Sequence, residues 1–336
     1  MTTQTHHDTA PQNIQSAQLP QALEPRNDGM ALDLDWVANL RANRSAIERR
    51  ATTLPGRRSV KKDHQAAWLC RAVSCIDLTT LSGDDTTGRV ARLCAKARQP
   101  VRADLLDQLG MTGLQVGAVC VYHDMIEAAG TALQGSGIPV AAVSTGFPAG
   151  LSPMALRIAE IEASVAAGAT EIDIVISRRH VLTGNWQALY EELREFRAAC
   201  GPAHMKAILA TGELGSLRNV ARASVVAMMA GSDFIKTSTG KESVNATLPV
   251  TLVMLRAIRD YHTRTGWRVG YKPAGGISKA KDAITYLALI KEELGDAWLR
   301  PALFRFGASS LLGDIERQLE HHVTGAYSAG WRHGVG

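Results

Sequence analysis

The sequence predicts an α/β protein built on a (β/α)8 TIM barrel with an N-terminal extension. Eight short apolar runs recur between residues 75 and 310, and stretches with helical periodicity lie between many of them. Parallel strands require crossover connections of a dozen or more residues, so this alternation predicts a parallel sheet. Successive strand starts lie ~23 to ~41 residues apart, which brackets the ~31 residues per unit of a 250-residue barrel. No GxGxxG turn follows the first strand, so the barrel is favoured over an open doubly wound sheet, which stays possible.

Each predicted strand is a run of six or seven mostly apolar residues followed by turn residues. In chain order they are CIDLTT at 75–80, VGAVCVY at 116–122, PVAAVST at 139–145, EIDIVI at 171–176, MKAILAT at 205–211, FIKTST at 234–239, VGYKPAG at 269–275 and FRFGASS at 304–310. Amphipathic spacing predicts helices over 156–167, 186–199, 217–230, 249–262 and 280–294.

Three segments are predicted along the chain: an extension over 1–62, the barrel over 63–320 and a tail over 321–336. Residues 1 to 30 are rich in Gln, Thr, Pro and His, which predicts disorder. Helical spacing predicts one helix over 32–50, and a linker is expected over 53–62.

Composition and charge exclude several classes of protein. Of the 336 residues, 46% are hydrophobic and 21% charged, which excludes a mainly disordered chain, a collagen-like fibre and a coiled coil. No apolar run is long enough to cross a bilayer, and we expect no membrane partner. The five cysteines are scattered without a CxxC pair, and the N-terminus does not resemble a secretory signal, so we expect a cytoplasmic protein with reduced thiols.

The net charge of +5 is concentrated between residues 49 and 62, where RRATTLPGRRSVKK carries six cations and no acid. Such a run could contact nucleic acid. No aromatic residues interleave with it and no nucleic-acid-binding motif follows, so a solvated linker is the favoured interpretation and no nucleic-acid partner is expected.

Charged residues interrupt strands that should be apolar on both faces. They are Asp77, Asp173, Lys206, Lys236 and Lys272. A single lysine in such a strand could reach solvent from the strand end. Three lysines in consecutive strands beside a carboxylate form a cluster if they all point inward, and buried charges require partners or a neutral form. The cluster therefore predicts an active site.

Crowded amines suggest a specific chemistry. A second ammonium about 4 Å away raises the cost of charging a lysine by roughly 4 kcal/mol at an effective dielectric of ~20, which brings its pKa near neutrality. A neutral lysine can form a Schiff base with a carbonyl, and the iminium stabilises the carbanion equivalent formed when a C–C bond breaks. The strand pattern does not decide which lysine reacts; Asp173 is the natural proton relay.

A phosphate site is predicted after strands seven and eight, where barrels commonly hold a phosphate on backbone amides and a helix N-terminus. The candidate residues are Gly275, Gly276, Ser309 and Ser310, with Lys241 after strand six as an additional charge. These residues could equally well make turns and cap a helix.

These segments together resemble the deoxyribose-phosphate aldolase family of Schiff-base aldolases. The matching motifs run from about residue 70 to 315 and include CIDLTTL, AVCVY, EIDIVI, KAILATGEL, GSDFIKTSTGK, GYKPAGGI and FRFGASSLL. The resemblance implies a (β/α)8 barrel that needs no cofactor and acts on a small phosphosugar. No HExxH motif, clustered His/Asp ligand set or Rossmann fingerprint appears, so no metal or nucleotide is expected, and a homo-oligomer is a further expectation.

The resemblance also implies roles for individual residues. Lys236 matches the Schiff-base lysine, Lys272 the second lysine and Asp173 the relay carboxylate. The implied substrate-binding residues are Asp77, Thr239, Lys206 and Cys120, and the implied phosphate-binding residues are Lys241, Gly275, Gly276, Ser309 and Ser310. The chain departs from the family at His123, where proline is usual, and at its end, where the family often has a tyrosine; Tyr327 is a possible substitute.

The predicted reaction is reversible cleavage of 2-deoxy-D-ribose 5-phosphate to acetaldehyde and D-glyceraldehyde 3-phosphate. One alternative is another Schiff-base lyase that acts on a different phosphosugar. A second is a barrel that binds a sugar phosphate without catalysis.

Overall fold

The computed structural model describes residues 24–57 and 60–334. In this part of the chain, eight strands alternate with most of the thirteen α-helices. The strands are β1 (Ile76–Thr79), β2 (Ala118–Val121), β3 (Val140–Ser144), β4 (Glu171–Val175), β5 (His204–Ile208), β6 (Phe234–Lys236), β7 (Gly270–Lys272) and β8 (Phe306–Ala308).

The α-helices surround the strands. They are α1 (Leu34–Asn39), α2 (Arg44–Arg57), α3 (Lys62–Ser74), α4 (Thr87–Arg98), α5 (Ala103–Leu109), α6 (Ile126–Leu133), α7 (Met154–Ala166), α8 (Arg178–Leu182), α9 (Trp186–Ala199), α10 (Leu217–Met229), α11 (Leu248–Thr265), α12 (Ala280–Leu294) and α13 (Leu311–Thr324). Short 3-10 helices lie at His123–Met125, Thr211–Glu213, Asp296–Trp298 and Gly330–Arg332. The predicted bounds of α9 and α12 match at both ends.

The sheet closes into a barrel, which confirms the predicted fold class. All the strand pairs are parallel, in the order β7-β6-β5-β4-β3-β2-β1-β8. Isolated parallel bridges, Tyr271 with Phe304 and Ala274 with Gly307, join the two ends of this order. A closed sheet has no free edge, and its strand ends form one ring around which the loops assemble.

Local sequence determines where several helices begin. On four helices of the barrel, a side chain accepts a hydrogen bond from a first-turn amide, which satisfies one of the unpaired N–H groups of the helix start. These caps are Thr86 on α4, Asn185 on α9, Ser216 on α10 and Thr247 on α11. A large apolar cluster lies between the strands and the helices and contains most of the buried hydrophobic residues.

The helices of the N-terminal region differ from the prediction in two respects. The single helix expected over 32–50 is two helices, because Asp33 caps the start of α1 and Asn43 caps the start of α2. The expected linker is partly helical, since α2 continues to Arg57 and buries Leu54. Ile47, Ala51 and Leu54 form an apolar stripe at helical spacing that extends into the basic run.

Disorder was also predicted over too long a range. Residues 24–30 are ordered against the barrel, and Asn27 is 3% exposed. Its amide nitrogen donates to the carbonyls of Met228 (2.8 Å) and Ser232 (3.0 Å), and its backbone N–H donates to Asp233 (2.8 Å). Residues 1–23 and 58–59 of the predicted extension lie outside the described residues. The division into extension, barrel and tail stays a prediction.

Candidate active site

The barrel register places the predicted charged residues on the interior face of the strands, with Lys236 paired to Ile208, two residues after Lys206 on β5. Asp173 pairs with Lys206 across β4 and β5, and Lys236 pairs with Lys272 across β6 and β7. Because paired residues on neighbouring strands point to the same face, all four side chains enter the barrel together. Asp77 reaches them from β1, and each of the five is at most 3% exposed.

Asp173 is the centre of the cluster. Its Oδ2 accepts hydrogen bonds from Lys236 Nζ (2.7 Å) and Lys272 Nζ (2.8 Å), and its Oδ1 lies 3.2 Å from Lys206 Nζ. The two lysines that share Oδ2 are therefore immediate neighbours. Burial alone would raise the pKa of Asp173, but Lys206, Lys236 and Lys272 hold it well below its usual value.

Asp77 is bound by cations on both oxygens. Lys272 Nζ lies 2.5 Å and Lys206 Nζ 3.3 Å from Oδ2, and Arg305 donates to Oδ1 at 2.6 Å. Burial opposes ionisation, but these three cations keep the pKa of Asp77 low. Asp77 thus holds Lys272 and Lys206 in position as a buried anion.

Sequence reasoning missed two members of the cluster, Glu171 and Arg305. Arg305 donates to Glu171 Oε1 at 2.8 Å, and Lys206 also donates to Glu171. Both residues carry a readable signal: Glu171 lies two residues before Asp173 on β4, and Arg305 two residues before Gly307 of β8. Alternation along a strand places residues two apart on the same face, so both were predictable as interior charges.

The described part of the barrel interior holds one more cation than anion when every group is ionised. The seven charged groups are Lys206, Lys236, Lys272, Arg305, Asp77, Glu171 and Asp173. Because buried charge without a partner is costly, loss of one proton from the group balances the cluster.

Lys236 is the group best placed to lose that proton. Burial lowers its pKa and Lys272 lowers it further, against the single carboxylate Asp173. Burial also opposes the charge on Lys272 and Lys206, but each contacts two or more carboxylates and its pKa is raised. The geometry therefore separates Lys236 from the other amines, which the strand pattern could not do. Burial lowers the pKa of Lys236 more than the neighbouring ammonium of Lys272 does, whereas the prediction from the sequence rested on the ammonium alone.

Glycines make room for the long interior side chains. A Cβ at Gly307 would lie 2.8 Å from Ala274 Cβ and 3.3 Å from Lys272 Cε. A Cβ at Gly117 would lie 3.1 Å from Arg305 Cδ. These close approaches explain why small residues face the charged cluster from β8 and from the start of β2.

Cys120, on β2, lies in an apolar part of the barrel interior. It packs with Ala141 and Val143 in a small cluster bordered by Leu81, Tyr122 and Phe147. Burial raises the pKa of its thiol, so the sulfur stays protonated at neutral pH. This arrangement supplies an apolar wall near the lysines.

The predicted phosphate residues are brought only partly together. Lys241, Ser309 and Ser310 line one cavity of about 480 Å³ beside the start of α13. Gly275 and Gly276 do not line it; both have positive φ (+77° and +80°), and the Gly275 N–H donates to the Gly307 carbonyl at 3.4 Å. A Cβ on Gly275 would lie 2.6 Å from Asn245 Cγ, so this glycine is required by a close approach.

Thr239 is held by hydrogen bonds within the turn that follows β6. Its hydroxyl donates to Glu242 at 2.8 Å and accepts from the Lys241 N–H at 3.1 Å. These contacts do not involve Asp77, and the implied binding of the substrate by Asp77 and Thr239 stays a prediction.

Residues 24–57 and 60–334 show neither a metal-binding cluster nor a helix suited to a membrane. No group of three or more His, Cys, Asp or Glu side chains there could hold a metal ion. No helix among these residues is both long and apolar enough to span a bilayer.

Fold and site together define a class: a (β/α)8-barrel enzyme whose interior carries a buried lysine with a lowered pKa among ion-paired lysines and carboxylates. The family model described as DeoC/LacD family aldolase matches residues 71–313. The chain belongs to this family, and it is an aldolase, a carbon–carbon lyase.

Individual relatives agree with this assignment. The deoxyribose-phosphate aldolase of Bos taurus is 60% identical over 311 residues, which cover 91% of this chain and 98% of that protein. That of Homo sapiens is 59% identical over 311 residues, with the same coverage. A solved structure of a putative deoxyribose-phosphate aldolase from Toxoplasma gondii has a TM-score of 0.67 at 21% identity and covers 78% of this chain and 97% of that one, which supports the fold.

Proposed function

We propose that this aldolase reversibly cleaves 2-deoxy-D-ribose 5-phosphate to acetaldehyde and D-glyceraldehyde 3-phosphate through a Schiff base on Lys236. The proposal rests on one observation. Lys236 and Lys272 both contact Oδ2 of Asp173, but only Lys236 has a lowered pKa. Relatives at about 60% identity carry the name of this reaction.

The proposed reaction begins at the substrate aldehyde. The neutral Nζ of Lys236 attacks C1 to give a carbinolamine, whose hydroxyl takes up a proton and leaves as water, so that the imine forms in its protonated state, the iminium. The C2–C3 bond then breaks as the C3 hydroxyl loses its proton, and the electron pair passes into the iminium. D-glyceraldehyde 3-phosphate leaves, and C2 of the enamine takes up a proton before hydrolysis releases acetaldehyde and free Lys236.

Proton movement in this scheme passes through Asp173. It contacts both Lys236 and Lys272, so a proton can move between the reacting nitrogen and the second lysine without bulk water. Lys206 and Asp77 are fully ion-paired within the protein, and in the proposal they hold Lys272 and Asp173 in place.

We assign the phosphate end of the substrate to the cavity lined by Lys241, Ser309 and Ser310. A cation and a helix start on the same wall suit a dianion. The scheme uses only amine and carboxylate chemistry, so the proposed enzyme needs no cofactor. We place it in the cytoplasm, where its five free, buried cysteines would stay reduced, and a homo-oligomer stays a prediction.

Two measurements test the proposal. Acetaldehyde release from 2-deoxyribose 5-phosphate should be readily detected, and borohydride with acetaldehyde should add one ethyl group to Lys236. Lys236→Met should abolish both, whereas substitution of the exposed Lys279 should change neither. An adduct without cleavage would favour a lyase for another phosphosugar. A phosphosugar bound without any adduct would indicate a non-catalytic barrel.

A further inference from the structure

The turn that follows β6, Thr239–Lys241, is folded around the carboxylate of Glu242, the residue directly after it. This carboxylate accepts hydrogen bonds from the Thr239 N–H (3.0 Å), the Thr239 hydroxyl (2.8 Å) and the Gly240 N–H (3.1 Å). The Glu242 side chain is only 2% exposed. Successive backbone N–H groups of this kind form an anion-binding nest, and here the protein fills the nest itself.

The buried carboxylate has a cationic neighbour in Arg178, at the start of α8. Arg178 Nη2 lies 3.7 Å from Glu242 Oε1, and its Nε lies 2.6 Å from Glu213 Oε2. The same guanidinium donates to the carbonyls of Ala149 (2.6 Å) and Pro148 (3.2 Å). Arg178 thereby links the connections that follow β3, β4, β5 and β6 at the end of the barrel where barrel active sites lie.

Lys241 lies between these anchored residues and the phosphate cavity. Its backbone N–H is bound by Thr239, and its exposed ammonium donates to the Leu81 carbonyl at 3.2 Å on the cavity wall. A flexible lysine loses rotamer entropy when it binds an anion, so a backbone already held in place reduces the cost of binding.

We propose that Arg178 and Glu242 are positioning residues that hold the Thr239–Lys241 turn, direct Lys241 to the phosphate cavity and thereby set the affinity for the phosphate end of the substrate. The inference rests on the proposed function for the identity of the substrate. It assigns to Glu242 a role in phosphate affinity although its own charge has the wrong sign to contact a phosphate.

Glu242→Gln and Arg178→Met test the proposal with paired substrates. We expect KM for 2-deoxyribose 5-phosphate to rise about tenfold in either variant, because Lys241 is no longer held at the cavity. We expect kcat, and kcat/KM for unphosphorylated 2-deoxyribose, to stay within about twofold. Inorganic phosphate should inhibit both variants more weakly than it inhibits the unsubstituted enzyme.

Matched controls are Arg179→Met, next to Arg178 on α8, and Glu195→Gln on α9; both side chains are exposed. Neither should change KM. Equal losses with both substrates would overturn the proposal, since they indicate general damage to the barrel. A lower KM in Glu242→Gln would also overturn it, because Glu242 would then compete with phosphate. If one variant does not fold, the other decides.

A binding measurement tests the role of Arg178 and Glu242 independently of the proposed reaction. Calorimetric titration with inorganic phosphate needs no turnover, and weaker binding to the variants than to the unsubstituted protein supports the inference. Unchanged phosphate binding contradicts it, even if acetaldehyde release is normal. If the unsubstituted protein releases no acetaldehyde, the proposed function fails while this titration still decides the role of Arg178 and Glu242.

Discussion

Replacing Lys272 with methionine should leave Lys236 protonated at neutral pH. Both lysines donate to Oδ2 of Asp173, at 2.7 and 2.8 Å, so their charges repel each other at close range. The substitution keeps the length of the side chain but removes one of the interior cations. The remaining interior cations then equal the carboxylates in number, so the cluster is neutral while Lys236 keeps its proton.

The size of the effect follows from Coulomb's law. Two unit charges about 5 Å apart repel by about 3 kcal/mol at an effective dielectric of ~20. At ~1.4 kcal/mol per factor of ten, the neutral fraction of Lys236 at pH 7 should fall about 100-fold. The sign is fixed because removal of a positive neighbour favours the charged form of an amine.

The assay is the rate of reductive trapping of acetaldehyde on Lys236, measured by mass spectrometry from about pH 5 to pH 10, a range that spans the pKa of a perturbed lysine. In Lys272→Met the acid limb of the profile should move up by about two pH units. Lys279→Met is the matched control, since Lys279 follows the same strand but its side chain is 65% exposed. Its profile should not move.

An unchanged acid limb in a folded Lys272→Met protein would refute the reasoning. It would mean that burial and Asp173 alone set the protonation of Lys236. Circular dichroism and a thermal transition close to that of the unsubstituted protein establish that the barrel is intact. A uniform loss of rate at every pH would equally refute it, because that result assigns to Lys272 a proton-transfer role without an effect on charge.

Three further predictions concern the rest of the molecule. Asn27→Ala should lower the free energy of unfolding by about 2 to 4 kcal/mol, measured in urea, because buried hydrogen bonds to Met228, Ser232 and Tyr261 are lost; unchanged stability would contradict the anchoring of residues 24–30. Gly307→Ala should lower kcat at least about tenfold by displacing Lys272; retained kcat would show that the cluster tolerates a Cβ there. Dialysis against a chelator should leave turnover unchanged, and loss restored by a divalent metal would contradict the amine mechanism.

Most of the barrel was predictable because its determinants are local. Each strand is a short apolar run that ends in turn residues, and the bounds of α9 and α12 follow from helical periodicity alone. The N-terminal helices were harder. The apolar stripe of Ile47, Ala51 and Leu54 is diluted by basic residues, and Pro55 argues for a break where α2 continues.

The candidate site divides in a similar way. The sequence alone indicated Asp173, Lys236 and Lys272 as interior charges, since charge within a doubly buried strand is conspicuous. Glu171 and Arg305 were not among the predicted residues, because they lie at the strand starts, where charge is common. Their two-residue spacing from Asp173 and Gly307 was the signal that could have indicated them. Ser309, Ser310 and Lys241 line one cavity, whereas Gly275 serves a close backbone approach, and phosphate binding by these residues stays a prediction.

The sequence by itself determined the fold class, the order of the elements and the residue types available for chemistry, because strand and helix patterns depend on neighbours a few positions apart. Only the tertiary structure decided that Lys236, and not Lys206 or Lys272, has a lowered pKa. That property depends on how many carboxylates each amine contacts across five different strands and on exclusion from water. Both are set by barrel closure, which joins residues more than 200 positions apart, such as Asp77 and Arg305.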